Sequence, residues 1–130
     1  MLVIKNATYN EIETTLSIAK DSGTTNVGLQ MSAVDVYGIL DIYIIGVLVG
    51  VNESVISRRI CKGVRLDDGV LSASSVVFDS GDEDQVTLAQ TTGSGTIITL
   101  QFMNSYVDYA FFGRLVIRLL GSNGVMSFVS

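Results

Sequence analysis

The stretch Ile39-Leu40-Asp41-Ile42-Tyr43-Ile44-Ile45-Gly46-Val47-Leu48-Val49 decides the fold of this 130-residue chain. Its apolar side chains occupy odd and even positions alike, and a β-strand sends alternate side chains to opposite faces. Ile, Val and Tyr favour a pleated sheet, and the run is shorter than the roughly 20 apolar residues that span a bilayer. The stretch therefore predicts a central strand that is covered on both faces, by its own fold or by another subunit.

On either side of this stretch, short apolar runs alternate with turn signals. The strongest hairpin signals are Asp67-Asp68-Gly69 and Gly121-Ser122-Asn123-Gly124. Turn signals recur about every 8 to 12 residues, which predicts an all-β, antiparallel β-sandwich of jelly-roll-like type with roughly nine to eleven short strands. No linker composition divides the chain, so residues 1–130 are expected to form a single domain.

The first twenty residues fit two local structures. Thr8 and Glu11 match a helical capping box. The alternation of apolar and polar residues from Ile12 to Ile18 favours a strand instead, and a strand is the prediction made here. Residues 1–10 either fold with the domain or form an N-terminal arm that reaches a neighbour.

Composition limits the partners of the chain. Charged residues make up only 16% of the sequence, against about 25% in typical soluble domains, which indicates that part of the surface does not face water. The net charge of −5 disfavours nucleic acid as a partner. The start of the chain lacks the pattern of a signal peptide, which predicts synthesis in the cytoplasm and no membrane partner.

The residue content also disfavours catalysis. The chain has no His, which is the commonest general base and metal ligand. The single Cys61 therefore has no His to act as the base that would activate its thiol. Gly93-Ser94-Gly95 lacks the Lys and the following helix of a phosphate loop. The acidic loop 79–84 could bind calcium, but its spacing does not match an EF-hand and a solvated turn is favoured. The sequence predicts no enzyme, no cofactor and no metal site, with paired carboxylates as the remaining catalytic alternative.

A short basic segment supplies the first candidate interface. Half of the eight positive charges lie in it, as Arg58, Arg59, Lys62 and Arg65. These side chains could meet an acidic patch such as the 79–84 loop of a neighbouring copy, and a head-to-tail contact of that kind builds rings or lattices. An ordinary solvated sheet edge is the alternative. Lys62-Gly63 is expected to break the strand here, which leaves a very short strand at residues 64–66.

The connection predicted at residues 104–113 supplies the second candidate interface. It holds most of the aromatic residues, namely Tyr106, Tyr109, Phe111 and Phe112. Aromatic side chains are enriched at interface cores, and a plug that closes one end of the sandwich is the alternative.

Asp41 is the one charged residue inside the apolar stretch. A buried carboxylate needs a partner. Arg114 or Arg118 would serve if their strand lies next to the central one; otherwise Asp41 is exposed at the strand start.

Three stretches together resemble a known class of protein. Gly113 to Leu120, a tight turn and Val125 to Val129 look like a closing hairpin, Ile39 to Val49 looks like a central strand, and the turns at 24–26 and 91–95 are rich in Ser, Thr and Gly. In these features the chain resembles the small β-sandwich virion proteins of tailed bacteriophages, the capsid cement or decoration class. The resemblance implies a non-enzymatic virion protein that forms homo-oligomers, often trimers, and clamps neighbouring capsid subunits.

The residues leave other functions open. A receptor- or carbohydrate-binding β module would use the aromatic residues of 104–113, and a small tail or head–tail connector protein is a close variant of the capsid hypothesis. Similarity of pattern to a fold does not establish function.

Overall fold

The computed structural model describes residues 8–21, 23–50, 53–81, 86–106, 108–121 and 125–129. Within these ranges the chain forms nine strands: β1 (Thr8–Ile18), β2 (Thr24–Met31), β3 (Val36–Val49), β4 (Ser54–Asp67), β5 (Val70–Asp79), β6 (Val86–Ser94), β7 (Ile97–Asn104), β8 (Ala110–Gly121) and β9 (Met126–Phe128). They form two antiparallel sheets that enclose one apolar core, which confirms the predicted β-sandwich. Residues 1–7 of the predicted arm and residues 122–124 of the second predicted turn lie outside the described residues.

The strand order is β1-β8-β3-β4-β5 in the five-stranded sheet and β6-β7-β2-β9 in the four-stranded sheet. β3 is therefore the middle strand of the larger sheet, as predicted. The strands β3, β4 and β5 follow one another as hairpins and β8 returns to lie beside β3, which is a Greek-key order. Pairing of β1 with β8 and of β2 with β7 nests distant parts of the chain, as in jelly-roll sandwiches.

The two faces of β3 have different environments. Its inward side chains Leu40, Ile42, Ile44 and Leu48 are fully buried against the four-stranded sheet. Its outward side chains are 40 to 47% exposed at Tyr37, Ile39, Ile45, Val47 and Val49. The prediction that both faces are covered is thus met by the fold on one side only, and the outer side of β3 is open.

β4 is one continuous strand, which corrects the predicted break at Lys62-Gly63. Pairing with β3 runs unbroken through Lys62 and Gly63. The irregularities lie in the pairing with β5, whose register shifts between Cys61 and Lys62 and again between Arg65 and Leu66. A bulge of this kind bends one strand without ending its neighbour. β4 ends at the predicted hairpin, where Asp68 and Gly69 have φ values of 49° and 79°, the positive pair that a type I′ turn requires.

Two further segments can be compared with their predicted structures. β1 is a strand along its whole length and pairs with β8 from Thr8 to Ile18. β8 begins at Ala110, so the connection predicted at 104–113 is shorter than expected and ends before that residue. The second half of the predicted connection belongs to β8 and pairs with the end of β3, and Phe111 is buried in the core there. The described part of the chain contains no helix with the length and apolarity that a membrane crossing requires.

Gly46 of β3 and Gly113 of β8 face each other at the inner side of the larger sheet. The ring of Phe111 lies over this pair. A Cβ atom added to Gly46 would come within 2.6 Å of the Gly113 Cα atom and 2.7 Å of the Phe111 Cζ atom. The two backbones and the ring fill the space that any side chain would need.

Candidate interaction surface

The outward side chains of the five-stranded sheet form one broad surface, called the outer face below. One row crosses all five strands in register: Glu11 of β1, Arg118 of β8, Asp41 of β3, Cys61 of β4 and Phe78 of β5. Side chains that lie opposite each other on neighbouring strands interact directly. The row therefore combines charges of both signs with a thiol and an aromatic ring at the middle of the surface.

Asp41 is held in this row by β4. The Arg59 guanidinium donates two hydrogen bonds to its carboxylate, at 2.9 and 3.2 Å, and the Cys61 thiol donates one at 3.3 Å. Burial acts to raise the pKa of Asp41, but the hydrogen bonds and the charges of Arg59 and Arg118 outweigh it, so the pKa lies below its ordinary value. Burial, and then the bond to Asp41, raises the pKa of the Cys61 thiol, which keeps the thiol neutral and a poor nucleophile.

The partner of Asp41 differs from the two residues named from the sequence. β3 and β8 are neighbours, as that hypothesis required, and Arg118 lies directly opposite Asp41. Arg118, however, binds Glu11 at 2.5 Å on its other side, and Arg114 pairs with Glu13. Asp41 therefore takes hydrogen bonds from Arg59 and Cys61, and the charge of Arg118 also lowers its pKa.

Arginine side chains lie across aromatic rings on this surface. The Arg59 guanidinium lies 5.3 Å from the Tyr43 ring centre and 5.6 Å from that of Phe78, and Arg118 lies 5.1 Å from Tyr43. Arg65 lies 4.5 Å from the ring of Tyr37. Cation–π contacts of this geometry are attractive and hold long side chains against the sheet. These contacts consequently order the charged middle of the outer face.

Two apolar patches lie on the outer face, one toward the end of β3 and one beside the row that contains Asp41. The first apolar patch consists of Ile45, Val47, Val49, Val55 and Phe112, with Val55 74% and Phe112 51% exposed. The second apolar patch consists of Ile39, Val77, Phe78 and Leu120, around a shallow depression of about 450 Å³ that Asp41 and Cys61 also line. Contiguous exposed apolar surface of this kind marks interaction sites. The sequence analysis did not single out these patches, although the odd-numbered apolar residues of β3 were a signal for them.

The basic segment predicted as an interface is divided between two environments. Arg59 and Arg65 lie on the outer face, whereas Arg58 and Lys62 point between the sheets and are only 7% and 8% exposed. Arg58 binds Asp79 through two hydrogen bonds, at 2.7 and 3.1 Å, and donates a third to the Val86 carbonyl at 2.8 Å. These two residues are corrections to the predicted surface set, because alternation along β4 places even-numbered residues inward. Asp79 of the acidic loop thus pairs within the chain, and residues 82–84 of that loop lie outside the described residues.

Lys62 is a buried amine whose hydrogen bond goes to the Thr91 hydroxyl at 2.8 Å. We expect Lys62→Met to raise the free energy of unfolding at pH 7 by about 1 kcal/mol, because replacing a buried charge with an apolar side chain of similar length removes its desolvation cost. Burial lowers the pKa of Lys62, so the unfolded chain binds this proton more tightly. Lys62 should therefore become less destabilising as pH rises toward its unfolded pKa of about 10.4, so the advantage of the Met variant over wild type should shrink between pH 7 and about pH 9.5, while the effect of Cys61 is present in both proteins.

Urea unfolding at pH 7 and at about pH 9.5 measures both effects. Lys20→Met is the matched control, since Lys20 is exposed beyond the end of β1 and its replacement should change stability little. A Lys62→Met variant less stable than wild type at pH 7 would show that the sandwich satisfies the charged amine.

The predicted aromatic set does not form one surface. Phe111 is fully buried in the core and Tyr109 is half-buried against it, whereas Phe112 and Tyr106 are exposed. Phe111 is therefore a correction to the predicted interface. Tyr106 and Tyr109 contact each other with ring centres 5.3 Å apart, and Phe112 belongs to the first apolar patch.

Asn104, which the sequence analysis overlooked, organises the short connection after β7. Its side chain is fully buried, donates to the Tyr109 carbonyl at 2.7 Å and accepts from the Tyr106 amide at 3.1 Å. A buried amide that satisfies the backbone on both sides of a loop fixes that loop. The connection is thereby held as a structural corner of the sandwich.

The described residues were also compared with the side-chain groups that metal sites require. Among the described residues, no group of three or more His, Cys, Asp or Glu side chains is arranged to hold a metal ion. Comparisons with protein-family models, with curated proteins and with solved structures find no match for this chain. The outer face is therefore the feature of the molecule from which a function can be proposed.

Proposed function

We propose that the chain is a non-enzymatic structural assembly protein, a virion component of the capsid cement or decoration class that holds neighbouring capsid subunits together. The observation that carries this proposal is the outer face, a whole sheet surface with two apolar patches and ordered charges between them. An assembly protein of this class needs a surface of this kind for contact with its own copies or with capsid subunits. The sequence resemblance to phage virion proteins supports the same function.

The internal pairing of the charges favours binding to protein over catalysis. The carboxylates on this face form ion pairs within the chain: Asp41 with Arg59, Glu11 with Arg118 and Asp67 with Arg65. Charges that are already paired within one protomer can be covered by a partner without leaving an isolated ion behind. The apolar patches on either side then supply the favourable burial.

Native mass in solution tests the proposal. Light scattering across a concentration range should give a discrete oligomer that persists on dilution, because burying the apolar patches stabilises association. A monomer at every concentration would overturn the proposal, since the outer face would then be stable in water on its own.

A further inference from the structure

We infer that the outer face binds a second copy of this chain, sheet against sheet, in a two-fold symmetric contact. This inference rests on the proposed function and names the partner of the same surface. Two sheets that pack face to face lie about 10 Å apart with their strands within about 30° of each other. The two larger sheets would form the centre of the dimer, with a four-stranded sheet on each outside.

The size of the outer face fits a stable dimer. Its five strands span about 24 Å at the usual spacing of about 4.8 Å, and the 12 residues of β8 extend about 40 Å at about 3.3 Å per residue. The footprint is therefore roughly 900 Å² per copy. A standard stable interface buries about 800 Å² on each partner.

The charge of the outer face favours an identical partner. Its outward strand positions carry four arginines, Arg59, Arg65, Arg114 and Arg118, and four carboxylates, Glu11, Glu13, Asp41 and Asp67. The face is thus neutral, although the whole chain carries −5. Two copies of an acidic protein repel each other through most surfaces, and a neutral face lets them meet without that repulsion. A partner recognised by opposite charge would instead require a face with a net charge.

The order of the side chains makes the same face ready to bind. Arg59 and Arg118 lie along the ring of Tyr43 on opposite neighbouring strands and are tied to carboxylates. Long charged side chains that are already fixed lose little conformational entropy on association. In a two-fold contact the same apolar patches of both copies are buried. Each contact between the first copy and the second is therefore repeated between the second and the first.

Charge substitutions in the first apolar patch test the inference. Val47→Lys and Val55→Lys change outward side chains that are 40% and 74% exposed, so each protomer should still fold. Each dimer would bury two new unpaired charges, and we expect its dissociation constant to rise at least about tenfold. Val125→Lys is the matched control, because Val125 is 55% exposed and belongs to the segment that enters β9 of the other sheet.

The outcomes separate this inference from the proposed function. Dissociation by both outer-face variants, with the control unchanged in mass, supports the sheet-against-sheet dimer. An oligomeric wild type whose mass survives both substitutions, or falls equally with Val125→Lys, overturns the inference and leaves the proposed function standing. A wild type that is monomeric throughout overturns both.

A cysteine variant tests the symmetry of the contact. Ile45→Cys in a Cys61→Ser background places a single thiol on the outer face, in the first apolar patch. Neighbouring copies related by a two-fold axis through this region should form a disulfide-linked dimer under mild oxidation. The same experiment at Val125 should give no dimer, and equal cross-linking at the two positions would contradict the assigned surface.

Discussion

Gly46→Ala should lower the free energy of unfolding by about 1 to 3 kcal/mol, the usual cost of forcing extra atoms into a filled core. The new methyl group would meet the Gly113 Cα atom at 2.6 Å and the Phe111 ring at 2.7 Å. Neither the paired backbone nor a fully buried ring can move away without loss of packing. Gly113→Ala should behave similarly, since its Cβ would meet the Gly46 Cα atom at 2.8 Å.

Gly63→Ala is the matched control, because the same change on the neighbouring strand β4 makes only ordinary van der Waals contacts. The nearest atoms to its added Cβ are 3.8 and 3.9 Å away, in the side chains of Ser75 and Val77. Ala in a strand is favoured over Gly by about 0.5 to 1 kcal/mol, so this variant should equal or exceed wild type. Urea unfolding of wild type and the three variants measures these differences in the free energy of unfolding. Equal effects at Gly46 and Gly63 would refute the close approach of β3 and β8.

Asp79→Ala should cost about 3 kcal/mol, the low end of the range for breaking a buried ion pair, since the Asp79 side chain is itself 32% exposed. The loss arises because the guanidinium of Arg58, only 7% exposed, would remain between the sheets without its carboxylate. Arg58→Met removes the buried charge itself and should cost only about 1 kcal/mol, mainly the hydrogen bond to Val86. Equal losses in the two variants would indicate that packing, not charge burial, sets the cost.

The same pair makes stability depend on acid. Hydrogen bonds from Arg58 lower the pKa of Asp79 despite its partial burial. A carboxyl group whose folded pKa lies below its unfolded value of about 3.9 stabilises the fold above that value and loses this effect as pH falls through the folded pKa. The stability difference between wild type and Asp79→Ala should therefore shrink between about pH 5 and pH 2. Asp41 and Asp67, whose pKa values are also lowered, are present in both proteins and cancel.

The sequence predicted the elements that follow from local chemistry. The apolar run of β3 and the Asp68-Gly69 turn each depend on neighbouring residues, and both were predicted correctly. The facing of β4 could also have been found, because Ile56, Ile60, Val64 and Leu66 all lie at even-numbered positions and mark the inward side. Treating Lys62-Gly63 as a break concealed that alternation, and with it the inward direction of Arg58 and Lys62.

Features that depend on strand register could not be predicted. Whether Asp41 meets Arg59 or Arg118 depends on which strands flank β3 and on how Glu11 competes for Arg118, and residue order alone determines neither. The same holds for the buried role of Phe111 and the exposed role of Phe112, because adjacent aromatic residues in a strand point to opposite faces. A one-residue slip would have exchanged them.

The nested pairing of β1 with β8 sets an order of events in the cell. Glu11 and Arg118 are 107 residues apart in sequence, and a ribosome adding about 5 to 20 residues per second needs about 5 to 20 s to synthesise that interval. Until β8 has been synthesised, β3 has no neighbour on its β8 side, and the row of charges across the outer face is incomplete. Under the proposed assembly, copies on adjacent ribosomes would lack the finished surface for meeting each other, so that folding would precede assembly.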